Sequence, residues 1–565
     1  MAEVTTDRIL KNPLIRLWQV LKLEGREISS IYFYAILAGL LALTVPLGIQ
    51  AIINFVLAGS VSTSMVVLII MVVLGVFFGG LLQVGQMKVI EKIQQRIFAR
   101  YTFEFAWRIP KLDLQKVDDY YLPEMVNRFF DVIVLQKSLS RLLLDIPIAT
   151  IQIIFGLTLL SLYANIFIVF SLLVVLLIYV ILYTTGGRGL KTSLDESDYK
   201  YQVASWLEEV ARVLKSFRFS KGTSLPVEKT DILVSKYVDA RSSHFRILLL
   251  QYWSLIAFKV IITAGMLIVG SILLVQNQIN IGQFVAAEIV ILSVLASVEK
   301  FIQSLDKVYD LLTSLEKLGK ILDKPLEKEG TLKVVHEGKG FSVAMHQLSF
   351  GYNSEKQSVR NIQFDIKSGT KVCIMGPEGS GKSTLIKLLT GSYQTFEGDI
   401  LVDGIPIGNY HPDSLRSEIG ILFNQQDIFD GTLYENISLG AASCTTAEIM
   451  NLAEKIGLNG FIASLKQGFD TNIEQTGRRL PDGTIRRILL LRALVLQPRL
   501  LLLEEPWAGF DEKSQQMIQN YLLREIPSTT SLIISNDESF ARNSDYVIYM
   551  ENGKIIKQGK PSEIL

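Results

Sequence analysis

Gly376-Pro377-Glu378-Gly379-Ser380-Gly381-Lys382-Ser383-Thr384 decides how the rest of this chain is read. The stretch fits G-x-x-x-x-G-K-[ST], the pattern of a phosphate-binding P-loop. The apolar run Lys371-Val372-Cys373-Ile374-Met375 before it predicts a strand, and Leu385-Ile386-Lys387-Leu388-Leu389 after it predicts a helix. In that setting glycines let the backbone curl, so that successive N–H groups and the helix N-terminus face a β-phosphate. Lys382 is placed to set a point charge on the β- and γ-phosphates, and the Ser383 hydroxyl to ligate Mg²⁺. A nucleotide site is expected here.

Around this site, composition narrows the class of molecule. A length of 565 residues implies two or more domains. With 56 Lys and Arg against 55 Asp and Glu, charge is balanced and no nucleic-acid partner is suggested. Mean hydropathy is +0.34, high for a wholly soluble protein, which points to membrane spans. The two cysteines, Cys373 and Cys444, form no disulfide framework and fit a reducing compartment. Cys373 lies in the strand before the P-loop and reads as a small buried hydrophobe. No cleavable signal peptide is expected, because a basic segment of nearly thirty residues precedes the first apolar run, itself long enough to span.

Residues 1–28 place Arg8, Lys11, Arg16, Lys22 and Arg26 among Leu and Ile, the pattern of an amphipathic helix on a membrane surface. Runs long enough to cross a bilayer follow near 30–57, 64–87, 142–163, 165–185, 247–275 and 281–304. The connections after the first, third and fifth are short and carry no Lys or Arg. Those after the second and fourth are long and basic, from Lys88 to Arg141 and from Arg188 to Arg218. The positive-inside rule therefore places the long loops and both termini in the cytosol. Lys259 and Glu288 are ionisable at membrane depth, and read as substrate-pathway groups, as a snorkelling side chain in the case of Lys259, or as a pair that fixes helix packing. Residues 305–340 read as a helical, charge-mixed connection, and from 341 onward short β-branched strands alternate with helices.

The second half resembles the nucleotide-binding domain of ABC transporters, fused behind a six-span half-transporter of the exporter type. Phe350-Gly351-Tyr352 matches the family aromatic, so Tyr352 is expected to stack on adenine. Leu500-Leu501-Leu502-Leu503-Glu504-Glu505 matches the Walker B strand and the general base after it. One carboxylate at such a strand end holds Mg²⁺ through water, and the other orients the attacking water. The resemblance implies ATP and Mg²⁺, with Ser383, Asn424 and Glu504 around the metal and Glu505 as base. It implies a six-helix transmembrane bundle of the ABC exporter type followed by a P-loop α/β nucleotide-binding domain. The divisions are 1–28 amphipathic segment, 29–315 transmembrane domain, 316–340 linker and 341–565 ATP-binding domain.

Several positions depart from the family pattern. Glu504 stands where the family has Asp, and Asn424 where it has a glutamine, with Gln425 and Gln426 beside it. Asn536 occupies the switch-histidine position; it can hydrogen-bond a γ-phosphate but carries no charge. Where the family reads Leu-Ser-Gly-Gly-Gln, this chain has Leu480-Pro481-Asp482-Gly483-Thr484, followed by a helix expected from near Ile485. Pro481 removes a hydroxyl and an N–H. Asp482 brings negative charge to a phosphate-docking loop, or serves as an N-cap on its own helix.

In the membrane half, Arg100 to Pro110 and Tyr121 to Phe129 resemble the first cytoplasmic loop of type I secretion exporters, with a coupling helix near 117–124 and a second coupling segment near Val213–Gly222. That resemblance implies a bacterial inner-membrane protein in contact with lipid, a homodimer or heterodimer, and a polypeptide substrate. A periplasmic adaptor and an outer-membrane channel go with it. No room for an N-terminal peptidase domain is expected ahead of the first span. The departures at Asp482 and Asn536 leave a second reading open, a nucleotide-binding but poorly hydrolysing partner subunit.

Overall fold

The computed structural model describes residues 13–59, 63–118, 121–335, 338–352, 357–424, 426–441, 444–473 and 480–565. Arg8, Lys11 and Gln425 lie outside the described residues. Two compact units emerge, the first of 1–111 with 119–324 and the second of 112–118 with 325–565.

The first unit is helical. Its elements are α1 (Pro13–Leu23), α2 (Gly25–Ala42), α3 (Thr44–Leu57), α4 (Thr63–Arg108), α5 (Leu122–Val126), α6 (Asp131–Tyr163), α7 (Ile166–Arg212), α8 (Leu214–Phe219), α9 (Leu225–Val275) and α10 (Ile281–Leu322). Six segments are long and apolar enough to cross a membrane, by length and composition: α2 with α3, α4, α5 to α6, α7, α9 and α10. The predicted spans fall within them. A 46-residue helix such as α4 is about 69 Å long at 1.5 Å per residue, more than twice a bilayer core of about 30 Å. Much of each long basic loop is thus a continuation of the spans.

Pro46 sits in the first turn of α3, just past a one-residue break at Leu43, while Pro147 is carried inside α6. Close approach sets the main helix contact: a Cβ at Gly156 of α6 would press within 2.7 Å of Val294 on α10. A capping box between Asn280 and Gln283 starts α10.

Two expectations are corrected within this unit. Arg16 does not join the exposed face of α1. Its guanidinium is buried, donates to Leu315 O at 2.7 Å and pairs with Asp323, while Leu14, Ile15 and Trp18 face outward. Lys259 pairs with Glu299 at 2.6 Å and not with Glu288, because Glu299 is the acid on α10 that lies within its reach. The carboxyl oxygen Oε2 of Glu288 is buried without a partner among the described residues. The connection is helical in its first part, as its sequence suggests: α10 continues through 315 to Leu322, since its apolar face, Leu311, Leu315, Leu318 and Ile321, stays buried to the end. Residues 316–322 are therefore helix, and the division between units falls at 324/325.

The second unit is α/β. Its strands are β1 (Val343–Phe350), β2 (Val359–Ile366), β3 (Lys371–Met375), β4 (Glu397–Val402), β5 (Ile405–Pro406), β6 (Ile419–Leu422), β7 (Gly431–Thr432), β8 (Asn472–Ile473), β9 (Leu500–Glu504), β10 (Thr530–Ile534), β11 (Tyr546–Glu551) and β12 (Lys554–Gly559). A four-stranded antiparallel sheet runs β2-β1-β4-β5, and a six-stranded sheet runs β12-β11-β3-β10-β9-β6. In the larger sheet only β12 is antiparallel. Its central strands are buried on both faces: Cys373, Leu501, Leu503 and Ile533 point into one core, and Val372, Ile374, Leu500, Leu502 and Leu532 into another. That explains their unbroken apolar sequences.

Candidate nucleotide site

Strand order builds the site. Because β10 lies between β3 and β9, their C-terminal ends form one edge, carrying in turn the P-loop, Asn536 and the Glu504-Glu505 pair. Such carboxyl edges are where open α/β sheets bind ligands.

The P-loop joins β3 to the helix Lys382–Leu388. Gly376 has φ +141°, and a Cβ there would lie 2.0 Å from Met550 O, so no side chain fits. Lys382 Nζ donates to Gly376 O at 2.7 Å, Pro377 O at 2.6 Å and Ser380 Oγ at 3.2 Å. Burial lowers its pKa, against the opposing pull of Glu505, Glu378 and Glu504. The helix begins on left-handed Gly381, and Thr384 and Ser380 are buried beneath the loop.

The Ser383 hydroxyl donates directly to Glu504 Oε1, and the Asn424 N–H donates to Oε2 of the same carboxylate at 3.1 Å. Asn424 therefore serves Glu504 through its backbone. Its side-chain Oδ1 is taken by Arg486 at 3.0 Å. Gln426, the other described candidate for the family glutamine's role, folds back to accept from Phe423 N–H at 3.1 Å. Glu505 sits on a left-handed backbone at φ +44°, its N–H donating to Ile534 O at 2.9 Å. Burial raises its pKa; Arg486, Asn536, Lys382 and Ser535 pull the other way. Asn536 Oδ1 accepts the Gly376 N–H at 3.1 Å, tying the switch position to the first residue of the P-loop.

Tyr352 is partly exposed, held edge-on against Phe350 at 5.1 Å and Tyr393 at 5.6 Å, and Thr384 Oγ1 donates to its hydroxyl at 3.3 Å. Cys373 is inert: burial pushes its thiol up to about 12, and Sγ–H donates to Ser535 O at 3.5 Å.

The signature region is organised differently from expectation. Its helix is Asp482–Leu494, beginning before Ile485, with Pro481 as the capping position. Asp482 is the first helical residue, is exposed, and makes no side-chain cap. It is not the N-cap, because Pro481 already holds the extended conformation that a cap requires. Leu480 packs against the domain core, Gly483 approaches Phe510, and Thr484 N–H donates to Pro481 O at 2.8 Å. No hydrogen bond among the described residues joins Leu480–Thr484 to Gly376–Thr384.

The donor set fits Mg²⁺ with ATP: backbone amides and Lys382 for phosphate, and the Ser383 hydroxyl and Glu504 for the metal. Among the described residues no cluster of three His, Cys, Asp or Glu could hold a metal unaided. That agrees with Mg²⁺, which takes one or two carboxylates and completes its shell with phosphates and water.

Residues 359–508 match the sequence profile of the family described as "ABC transporter". The second unit is an ABC transporter nucleotide-binding domain. The fold of the whole chain agrees: it superposes on a solved "bacterial Atm1-family ABC exporter with ATP bound" with TM-score 0.85 over 96% of both chains, at 21% identity. Among curated relatives, the chain is 32% identical to "ABC transporter B family member 21" of Arabidopsis thaliana over 42% of this chain and 18% of that protein. It is 33% identical to an "ATP-dependent lipid A-core flippase" of Hahella chejuensis over 43% and 41%. The "ATM1-type heavy metal exporter" of Novosphingobium aromaticivorans is 31% identical over 40% and 37%. The chain thus spans less than half the length of the relatives it matches.

One feature of this ABC transporter domain escapes sequence reasoning. Arg486 Nε donates to Glu505 O at 2.8 Å, and its Nη2 to Glu504 O at 2.6 Å as well as to Asn424 Oδ1. It clamps the signature helix to the Walker B turn. In sequence it is one basic residue among several on a helix, and only its distance of six from Leu480 marks it. The first long loop is expected to carry a coupling helix that sits on this domain, and its segment is displaced from the expected bounds. Leu112–Asp118 belongs to the nucleotide-binding unit, where Leu112 bridges to Leu326 and Tyr393 Oη donates to Asp118 Oδ2 at 2.9 Å. In place of one helix near 117–124 there is a 3₁₀ turn, Leu114–Lys116, and the separate helix α5. Residues 119–120 lie outside the described residues. The second expected segment, Val213–Gly222, contains α8.

Proposed function

We propose that the chain is an ATP-driven exporter subunit that dimerises, closes two nucleotide-binding domains on Mg–ATP, and couples closure to export. The observation that carries this reading is a full P-loop whose Ser383 is joined to Glu504, with Glu505 beside it, in a chain that also holds six candidate spans. Lys382 and the amides of Gly379 to Thr384 hold phosphate. Ser383 and Glu504 would hold Mg²⁺, which would supply charge neutralisation to the phosphates. Glu505 orients the attacking water and accepts its proton, a task suited to a carboxyl with raised pKa. Tyr352 takes adenine. Asn536 takes the γ-phosphate side, exchanging its bond to Gly376.

The resemblance of the first cytoplasmic loop supports export of a polypeptide in the manner of type I secretion. Placement in a bacterial inner membrane, cytosolic termini, and contact with an adaptor and outer-membrane channel belong to that proposal. Hydrolysis is expected to be slow, because exposed Asp482 and Pro481 replace the docking groups of the signature loop. The same observation favours a second reading, a nucleotide-binding regulatory partner with little turnover. Phosphate release by the purified full chain separates them. Release that is stimulated by a partner or substrate and abolished by Glu505→Gln supports the exporter. Nucleotide binding with no release under any of these conditions supports the regulator.

A further inference from the structure

Two charged helix faces meet in the first unit and serve no part of the nucleotide chemistry. On α6, Lys137, Arg141 and Asp145 recur every four residues, and on α10, Lys300, Lys307 and Asp310 share a face. Together they line a cavity of about 570 Å³. That volume lies within the range of small-ligand sites, roughly 300–1,000 Å³. It sits where the third and sixth candidate spans reach their cytosolic ends.

The cations are not equivalent. Arg141 is held by Asp145 at 2.6 Å, and Lys307 is shared by Asp306 and Asp310 at 2.9 Å each. Lys137 and Lys300 have no acid within ion-pair distance among the described residues. Packing alone does not require two unmatched amines at one cavity beside two anchored cations. The floor adds hydroxyls, since Ser138 and Ser304 are 3% and 4% exposed.

Position within the bundle selects the occupant. Of the six apolar windows, those of α10 and α6 are the most buried, at 50% and 39%, against 6–28% for the others. The cavity lies between these two helices, and its Lys137, Arg141 and Lys300 are exposed and open to a ligand. We propose that this cavity is a receiving site for an acidic segment of the exported polypeptide, with Lys137 and Lys300 as its carboxylate-binding groups. The proposal rests on the exporter reading above and names the charge of its cargo.

The test uses the full chain in nanodiscs of neutral phosphatidylcholine, without nucleotide, and follows the anisotropy of a fluorescein-labelled tetra-aspartate peptide. Saturable binding is expected, weakened by about tenfold or more in Lys137→Gln/Lys300→Gln. Lys137→Arg/Lys300→Arg should retain it, as should Lys191→Gln/Lys215→Gln, which removes two exposed lysines elsewhere in the same unit. Absence of binding to the unmodified chain, or an equal loss in the second glutamine pair, overturns the proposal. Displacement of the peptide by phosphatidylglycerol in the nanodisc overturns it too, and assigns the cavity to lipid headgroups. The thermal shift on adding Mg–ATP is read on the same samples: failure of peptide binding with that shift intact refutes the acidic site alone, whereas loss of the shift in the unmodified chain refutes the exporter reading.

Discussion

At the scale of single residues, charge placement decides the nucleotide site. Lys382 is the P-loop's side-chain cation, and it now satisfies itself on Gly376 O, Pro377 O and Ser380 Oγ. A charge-assisted bond to phosphate is stronger than these neutral acceptors offer, so ATP is expected to draw it off. Lys382→Ala should therefore abolish nucleotide-induced thermal stabilisation in detergent; an unchanged shift would count against this loop as the site. Glu505 makes a second prediction. Its pKa is raised by burial, so the folded state favours the protonated form. That preference stabilises the fold below the ordinary carboxyl value of 4.5 and is lost as pH rises through the raised one. Glu505→Gln should melt close to the unmodified chain in acid and above it near neutral pH, while losing phosphate release. A melting gain that is largest in acid would contradict the assigned sign.

Among elements, the signature helix is the one whose start differs from the family pattern. Asp482 at its first position is favourable to the helix dipole and unfavourable to an incoming phosphate. Repulsion between a carboxylate and a γ-phosphate is at least ~1 kcal/mol even when solvated, which is about fivefold in rate. Restoring the loop with Pro481→Ser and Asp482→Gly should raise turnover by that factor or more, and Asn536→His should raise it again. Steady-state phosphate release measures both; a restored loop with no gain in rate would mean that the limitation lies elsewhere. Arg486 is expected to keep its clamp in these variants, since its bonds are to backbone carbonyls of Glu504 and Glu505.

For the whole molecule, the testable property is orientation. The connection between α9 and α10 is short and free of Lys and Arg, whereas the long loops, expected in the cytosol, are basic. A cysteine introduced at Asn277 should react with an impermeant maleimide from outside only. Background is low, because Cys373 and Cys444 are both buried. Ser60, which lies outside the described residues, offers a second position with the same expectation. Labelling of Asn277→Cys from the cytosolic side alone would reverse the topology and with it the direction of export.

What the amino-acid order determined was everything with a local signature. The P-loop announces itself within nine residues, the Walker B run within six, and each candidate span within one apolar stretch, because strand, loop and helix periodicities are properties of neighbours in sequence. The expected orientation rests on loop charge, which is local for the same reason. Tertiary structure decided the partnerships. Asn536 meets Gly376 because β10 is laid between β3 and β9, a choice made by burial of two apolar faces across the sheet. Lys259 takes Glu299 over Glu288, and Arg16 turns inward over Gly319 to reach Leu315 and Asp323, because helix neighbours and their register set which acid is near. Residues 112–118 leave the helical unit for the nucleotide-binding one, where Asp118 finds Tyr393. Each of these contacts joins residues far apart in the chain. Their energies depend on the packing that brings them together, and no window of sequence contains it.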